Sequence, residues 1–113
     1  MMDLLATGYP SLDYIMRVTH SPGIGETALI QTPADRFTFG GCGANVAVAM
    51  AAQGFQTGVA MIVGDDDPGG EYVQYLNAAG VSTEHVIGVS GERTSTGYLF
   101  INPDNEYQIF FLP

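Results

Sequence analysis

The sequence predicts an α/β fold in which helices flank a parallel β-sheet, with a smaller set of strands outside that alternation. Three apolar runs of strand length support the sheet, because continuous hydrophobic segments are typical of strands buried on both faces. Two segments with helical spacing separate these runs, and this alternating order indicates a parallel sheet. Two β-rich stretches, 27–39 and 95–112, depart from the alternation.

The amino-terminal third contains the first strand and the first β-rich stretch. The strand is predicted at 3–8, where an apolar run ends in glycine. Residues 9–13 include proline, serine and aspartate, so we expect them to leave this strand as a loop. β-forming residues then occur in two pieces, 28–32 and 36–39, separated by Pro33-Ala34-Asp35.

The middle of the chain contains both predicted helices. An alanine-rich segment that is apolar on nearly every side predicts a buried helix at 44–53, ended by glycine. A second buried strand is predicted at 57–64, and the acidic residues 65–69 follow it as a loop. Helical spacing predicts the second helix at 70–79, and a third strand follows at 86–89.

The tail predicts a β-hairpin. Residues 95–101 and 106–112 are rich in β-formers, and Asn102-Pro103-Asp104-Asn105 joins them with residues typical of turns. We expect this hairpin to pair with the earlier β-rich stretch.

Composition excludes several classes of protein. The chain has 113 residues, enough for one domain but short for an α/β enzyme, so we expect it to be part of something larger. Its net charge of −9 disfavours nucleic acid and anionic membranes as partners. A single cysteine excludes an internal disulfide, and the scattered soft ligands predict no metal site. The acidic start lacks the basic region of a signal peptide, and we expect a cytoplasmic protein.

The run Gly40-Gly41-Cys42-Gly43-Ala44-Asn45 precedes the first predicted helix and is the strongest candidate for a small-molecule site. Glycines permit close backbone approach, and the helix start offers unpaired N–H groups and a positive dipole end. A phosphate-binding P-loop is excluded because the chain contains no lysine, and the dinucleotide pattern fails because Val46 replaces its last glycine. The alternative is a tight connection without a ligand.

The spacing of this run resembles the first motif of the PfkB family of carbohydrate kinases, the ribokinase-like group. The matching positions are Gly40, Gly41, Gly43, Asn45, Ala47, Gly54 and Gly64. Three further segments resemble family motifs in the same order, namely 22–27, 64–69 and 80–86. The resemblance covers the whole chain and corresponds to the amino-terminal part of one ribokinase-like α/β domain.

The resemblance implies that Asp13, Gly41, Cys42 and Asn45 bind the substrate. A carboxylate and a carboxamide can each pair with two sugar hydroxyls. Ribokinases commonly carry lysine where Cys42 stands, which argues against ribose itself, and the thiol is either a small pocket-lining residue or one activated by the helix start. Asp66 and Gly69 are expected to be structural, and we assign no catalytic residue.

The resemblance also implies that 27–39 and 95–112 contribute the strands of a lid over the sugar. Six apolar side chains would form one face of this lid, either packing within its sheet or forming a homodimer interface: Phe37, Phe39, Tyr98, Phe100, Ile109 and Phe111.

Catalysis in the family uses ATP with Mg²⁺ and a glycine-rich anion hole followed by an aspartate, and residues 1–113 contain no such segment. We therefore expect the substrate-binding and lid portion of a sugar kinase. The alternatives are a portion of a nucleoside kinase and a non-catalytic binding or association module.

Overall fold

The computed structural model describes all residues, 1–113, as eight strands and two helices. In chain order they are β1 (Leu4–Thr7), β2 (Ser11–Val18), β3 (Ile30–Thr32), β4 (Thr38–Gly40), α1 (Cys42–Ala52), β5 (Thr57–Gly64), α2 (Asp67–Ala78), β6 (Val81–Val89), β7 (Thr96–Ile101) and β8 (Tyr107–Leu112). The chain divides into two compact units. Unit 1 comprises Met1–Ser11 with Phe39–Ser95, and unit 2 comprises Leu12–Thr38 with Thr96–Pro113.

Unit 1 contains the predicted parallel sheet. Its strand order is β1-β5-β6, and both neighbouring pairs are parallel. β5 is central and apolar, and it supplies Val59, which is completely buried. Ala47 of α1 and Leu76 of α2 are equally buried, so the core of this unit includes one side of each helix. The predicted α/β class is confirmed.

Both helices begin earlier than the sequence predicts. α1 starts at Cys42, two residues before the expected 44, and buries Gly43, Ala44 and Ala47. α2 starts at Asp67 rather than 70, because Asp66 caps it and proline is tolerated in a first turn. The loop predicted at 65–69 is therefore wrong for residues 67–69, which belong to α2.

The third strand is also longer than expected. β6 pairs with β5 from Thr57↔Val81 to Gly64↔Val89, whereas the apolar run predicted only 86–89. Its first half carries Ser82, Thr83 and Glu84, whose polarity hid the strand. No helix in the structure has the length and apolar character needed to cross a membrane.

Unit 2 is built around β2, a strand that the sequence did not predict. Residues 9–13 were expected to form a loop, but β2 begins at Ser11 and places Asp13 on a strand. β2 pairs in parallel with β7 and antiparallel with β3, and β4 also pairs with it. The tail hairpin was expected to pair with 27–39; instead β3 and β7 both pair with β2.

The hairpin itself is confirmed. β7 and β8 pair from Thr96↔Leu112 to Ile101↔Tyr107. Asn102 closes the turn, because its Oδ1 accepts hydrogen bonds from the N–H groups of Asp104 and Glu106, both at 3.0 Å. β8 ends the strand order of the sheet, and every one of its residues is exposed.

The apolar side chains expected to form one lid face divide between the units. Phe37 contacts Tyr14 edge to face at 5.9 Å within unit 2, and Phe100 contacts Phe110 at 6.0 Å. Phe39 instead belongs to unit 1, where its ring stacks on Tyr75 of α2 at 4.7 Å. Phe39 is therefore part of the α2 packing of unit 1.

Candidate substrate-binding site

The start of α1 presents backbone amides without a side-chain cap. Gly41 is the N-cap residue, with φ 103° and ψ 131°, and no side chain bonds to the first turn. The first intrahelical hydrogen bond runs from the Asn45 N–H to the Gly41 carbonyl at 2.9 Å. The amides before Asn45 have no acceptor within the helix, so this end carries a partial positive charge suited to hydroxyl or carboxyl oxygens.

Two glycines of the run are required by close packing. A Cβ on Gly41 would collide with the Tyr9 carbonyl oxygen, and one on Gly43 would lie 2.5 Å from the Thr7 carbonyl oxygen. The positive φ of Gly41 also disfavours any other residue. These contacts bring the start of α1 to the carboxyl end of β1, the edge where open α/β sheets bind ligands.

Cys42 and Asn45 lie on the exposed side of the same helical turn. They are three residues apart, so they share one helix face, and both are exposed. Gly43, Ala44 and Ala47 are buried on the opposite side. The structure thus brings three predicted site residues, Gly41, Cys42 and Asn45, together at one helix start. Cys42 is a free, exposed thiol.

Asp13, the fourth predicted residue, belongs to unit 2. It lies on β2 directly opposite Gly97 of β7, and its backbone carbonyl accepts a hydrogen bond from the Thr38 hydroxyl at 3.4 Å. Side chains alternate along a strand, so Asp13 faces away from Tyr14, whose ring stacks on Tyr98 at 5.5 Å.

The acidic segment after β5 is structural, as predicted for Asp66 and Gly69. Asp66 Oδ1 accepts hydrogen bonds from the Gly69 N–H at 3.0 Å and the Thr94 hydroxyl at 2.7 Å, and its Oδ2 accepts the Thr94 N–H at 2.9 Å. Partial burial acts to raise the pKa of Asp66, and the hydrogen bonds from Thr94 and Gly69 act to lower it. The hydrogen bonds have the larger combined effect, so the pKa lies below its usual value of 3.8.

Tyr72 and Thr94 support this part of unit 1 through hydrogen bonds that the sequence did not predict. Thr94 is 2% exposed and joins Gly64 to Asp66 through its hydroxyl, although it lies in a segment without regular structure. Tyr72 is completely buried and donates a hydrogen bond to the Gly40 carbonyl at 2.6 Å. Helical spacing shows that position 72 is apolar and inward, but it gives no sign of a polar partner 32 residues away.

The structure contains no group of three or more His, Cys, Asp or Glu residues that could hold a metal ion. The sequence likewise contains no glycine-rich segment followed by an aspartate of the kind that binds phosphoryl groups in this family. We assign neither Mg²⁺ nor the phosphates of ATP to residues of this chain.

The family model for pfkB family carbohydrate kinases matches residues 1–113. The chain belongs to the PfkB family of carbohydrate kinases. A nucleoside kinase of Methanothermobacter thermautotrophicus is 32% identical over 109 residues, covering 96% of this chain and 35% of the relative. An ATP-dependent ribose-1-phosphate kinase of Halopiger xanaduensis is 34% identical over 109 residues, covering 96% of this chain and 36% of the relative.

Solved structures agree on the fold. A ribokinase from Cryptococcus neoformans in complex with ADP matches with a TM-score of 0.89 and 28% identity, covering 99% of this chain and 35% of that chain. A nucleoside kinase from Burkholderia thailandensis in complex with inosine matches with a TM-score of 0.84 and 26% identity, covering 97% of this chain and 36% of that chain. The relatives are kinases of sugars and of nucleosides, and this chain spans 35% to 36% of their length in the four comparisons.

Proposed function

We propose that this chain is the substrate-binding and lid portion of an ATP-dependent kinase that phosphorylates a hydroxyl of a sugar. The observation that carries the proposal is the start of α1, where Cys42 and Asn45 share an exposed face beside backbone amides that no side chain caps. This arrangement offers donors and an acceptor to neutral hydroxyl groups. No lysine or arginine side chain lies within the first turn of α1.

Each predicted residue has a distinct role in this proposal. The Asp13 carboxylate accepts hydrogen bonds from two sugar hydroxyls, and the Asn45 carboxamide pairs with hydroxyls at another edge of the ring. Gly41 contributes backbone polar groups, and Cys42 lines the pocket as a small side chain. In unit 2, the strands within 27–39 and 95–112, together with β2, form the lid that excludes water during phosphoryl transfer.

A nucleoside acceptor is the second candidate. Nucleoside kinases from two archaea match this chain at 32% and 30% identity, and the ribose ring is common to nucleosides and free ribose. Ribokinases commonly carry a lysine at the position of Cys42, and its cation would favour a phosphorylated or strongly polar acceptor. The Cys42 thiol does not supply this cation. ATP and Mg²⁺ would be bound by parts of the complete enzyme other than this chain.

We also propose that β8 contributes to association between two copies. Ile109, Phe110 and Phe111 are 53%, 61% and 45% exposed on this terminal strand of the unit 2 sheet. A terminal strand with apolar side chains pairs readily with another chain.

The test is an acceptor panel on the complete protein encoded with this chain. Ribose, deoxyribose, ribose 1-phosphate, adenosine and inosine are each supplied with MgATP, and ADP formation is measured. We expect turnover of one class of acceptor. Asp13→Ala should abolish acceptor binding in calorimetry, whereas Glu84→Ala, which removes an exposed carboxylate outside both the predicted site and the lid segments, should leave it unchanged.

Absence of turnover and binding with every acceptor would contradict the kinase proposal and favour a non-catalytic module. Normal acceptor binding by Asp13→Ala would remove Asp13 from the site. The coding sequence downstream of Pro113 gives an independent check, because a glycine-rich segment with an aspartate supports the kinase and a stop codon excludes it for this polypeptide.

A further inference from the structure

Tyr72 connects α2 to the glycine run that begins the candidate site. Its ring and hydroxyl are completely buried in unit 1, and the hydroxyl donates to the Gly40 carbonyl oxygen at 2.6 Å. Gly40 is itself buried and immediately precedes Gly41, the N-cap of α1. A phenol in this position is an unusual choice for a helix core, because its hydroxyl must find a partner.

The hydrogen bond fixes the orientation of one peptide group. The C=O of Gly40 and the N–H of Gly41 belong to the same planar, trans peptide, so they point in opposite directions. Holding the carbonyl on Tyr72 therefore sets the direction of the Gly41 N–H. Glycine residues alone would leave this peptide free to rotate, because both φ and ψ of glycine are permissive.

Aromatic packing holds the same segment from the side. The ring of Phe39 contacts Tyr72 edge to face at 5.6 Å and stacks on Tyr75 at 4.7 Å. On the far side of Gly41, the Gly41 carbonyl accepts the first helical hydrogen bond from Asn45 at 2.9 Å. The peptide between Gly40 and Gly41 is thus held on one side by α2 and on the other by α1.

We propose that Tyr72 is a positioning residue of the substrate site, which holds Gly41 and the first turn of α1 in the orientation that binds the acceptor. The inference rests on the proposed function, since it assumes that Gly41 and Asn45 bind the acceptor. Tyr72 itself does not touch the substrate. Its contribution is to remove conformational freedom before binding, which otherwise lowers affinity.

The experiment compares two single-atom deletions on α2 in the complete protein. Tyr72→Phe keeps the ring and removes the hydroxyl that holds Gly40. Tyr75→Phe is the matched control, because it lies one turn later in the same aromatic cluster and its hydroxyl is not part of this bond. We expect Tyr72→Phe to raise the acceptor KM about fivefold to tenfold, the effect of one lost hydrogen bond, with ATP KM and kcat nearly unchanged.

A purely structural role predicts a different pattern. If Tyr72 only stabilises the core, Tyr72→Phe lowers the folded fraction and the apparent kcat while acceptor KM stays at the wild-type value, and this outcome overturns the proposal. Equal acceptor KM shifts in both variants overturn it as well. If Tyr72→Phe yields little folded protein, the comparison is repeated in a Gly70→Ala background. Alanine has a higher helix propensity than glycine, and no atom outside the backbone of α2 lies within 4 Å of the added methyl group.

Hydrogen exchange separates this proposal from the kinase proposal. Tyr72→Phe should accelerate exchange in peptides covering 40–46 and leave β5 unchanged, whether or not the acceptor is known. Inactive wild-type protein would contradict the proposed function alone. Unchanged exchange at 40–46 in Tyr72→Phe would overturn the positioning role even in an active enzyme.

Discussion

Replacing Thr94 by valine should destabilise unit 1 strongly, although the substitution hardly changes side-chain shape. The Thr94 hydroxyl accepts a hydrogen bond from the Gly64 N–H at 3.1 Å and donates one to Asp66 at 2.7 Å, in a site that is 2% exposed. Valine removes both bonds and leaves the buried Gly64 amide without its acceptor. A bond to a charged group contributes about 1.5–3 kcal/mol and an unpaired buried donor costs about 1–3 kcal/mol. Both effects arise from the loss of the same hydroxyl and are not fully additive, so we expect a loss of about 2–4 kcal/mol, which is less than their sum.

Urea unfolding followed by circular dichroism measures this loss. With a slope of about 2 kcal/mol per molar urea, the midpoint should fall by about 1–2 M. Thr94→Ser is the matched control, because it keeps the hydroxyl and loses only a methyl group, at a cost of about 1 kcal/mol. A valine variant as stable as the serine variant would refute the reasoning that the hydroxyl network, rather than packing, holds this segment.

Two further predictions concern the same region. Gly69→Ala should cost about 3 kcal/mol or more in thermal unfolding, because the added Cβ would lie 2.7 Å from the Thr94 hydroxyl and would collide with the Gly64 carbonyl. Gly70→Ala should instead stabilise the fold by about 0.5–1 kcal/mol through helix propensity, because no atom outside the backbone of α2 lies within 4 Å of its Cβ. Similar effects of the two substitutions would contradict the close packing of Gly69 against Gly64 and Thr94. The pKa of Asp66 is lowered from 3.8, so its ionised form stabilises the fold above that pH and the contribution is lost as pH falls through the folded-state value. The stability difference between wild type and Asp66→Asn should therefore be largest near neutral pH and shrink below about pH 4 in urea titrations, and a constant difference would exclude ionisation as its source.

The sequence predicted the elements of unit 1 well because their signals are local. The second strand was predicted at 57–64 and β5 has the same bounds, since its residues form one uninterrupted apolar run. α1 was predicted by its alanine-rich composition and by Gly54, which adopts a φ of 94° just after the helix. In both cases the sequence signal lies within the element or within two residues of its end.

The elements of unit 2 could not be predicted in the same way because their pairing is non-local. β2 begins after Pro10 with serine and includes an aspartate, residues that locally favour a turn. It forms because Leu12 and the residues after it pair with β7, more than 80 positions along the chain, as in Leu12↔Thr96. The same non-locality explains why the hairpin was assigned the wrong neighbour, although its two strands and turn were correct.

The candidate site shows where family resemblance and physical role coincide and where they differ. The motif matches at Gly41 and Gly43 are explained by packing, since a Cβ at either position would meet the backbone of residues 7–11. Cys42 and Asn45 are different, because both are exposed and no contact within α1 requires a thiol or a carboxamide there. Substitutions at the two glycines would therefore report on folding, whereas substitutions at Cys42 and Asn45 would report on recognition. Only the second pair can distinguish a sugar site from a tight connection between a strand and a helix.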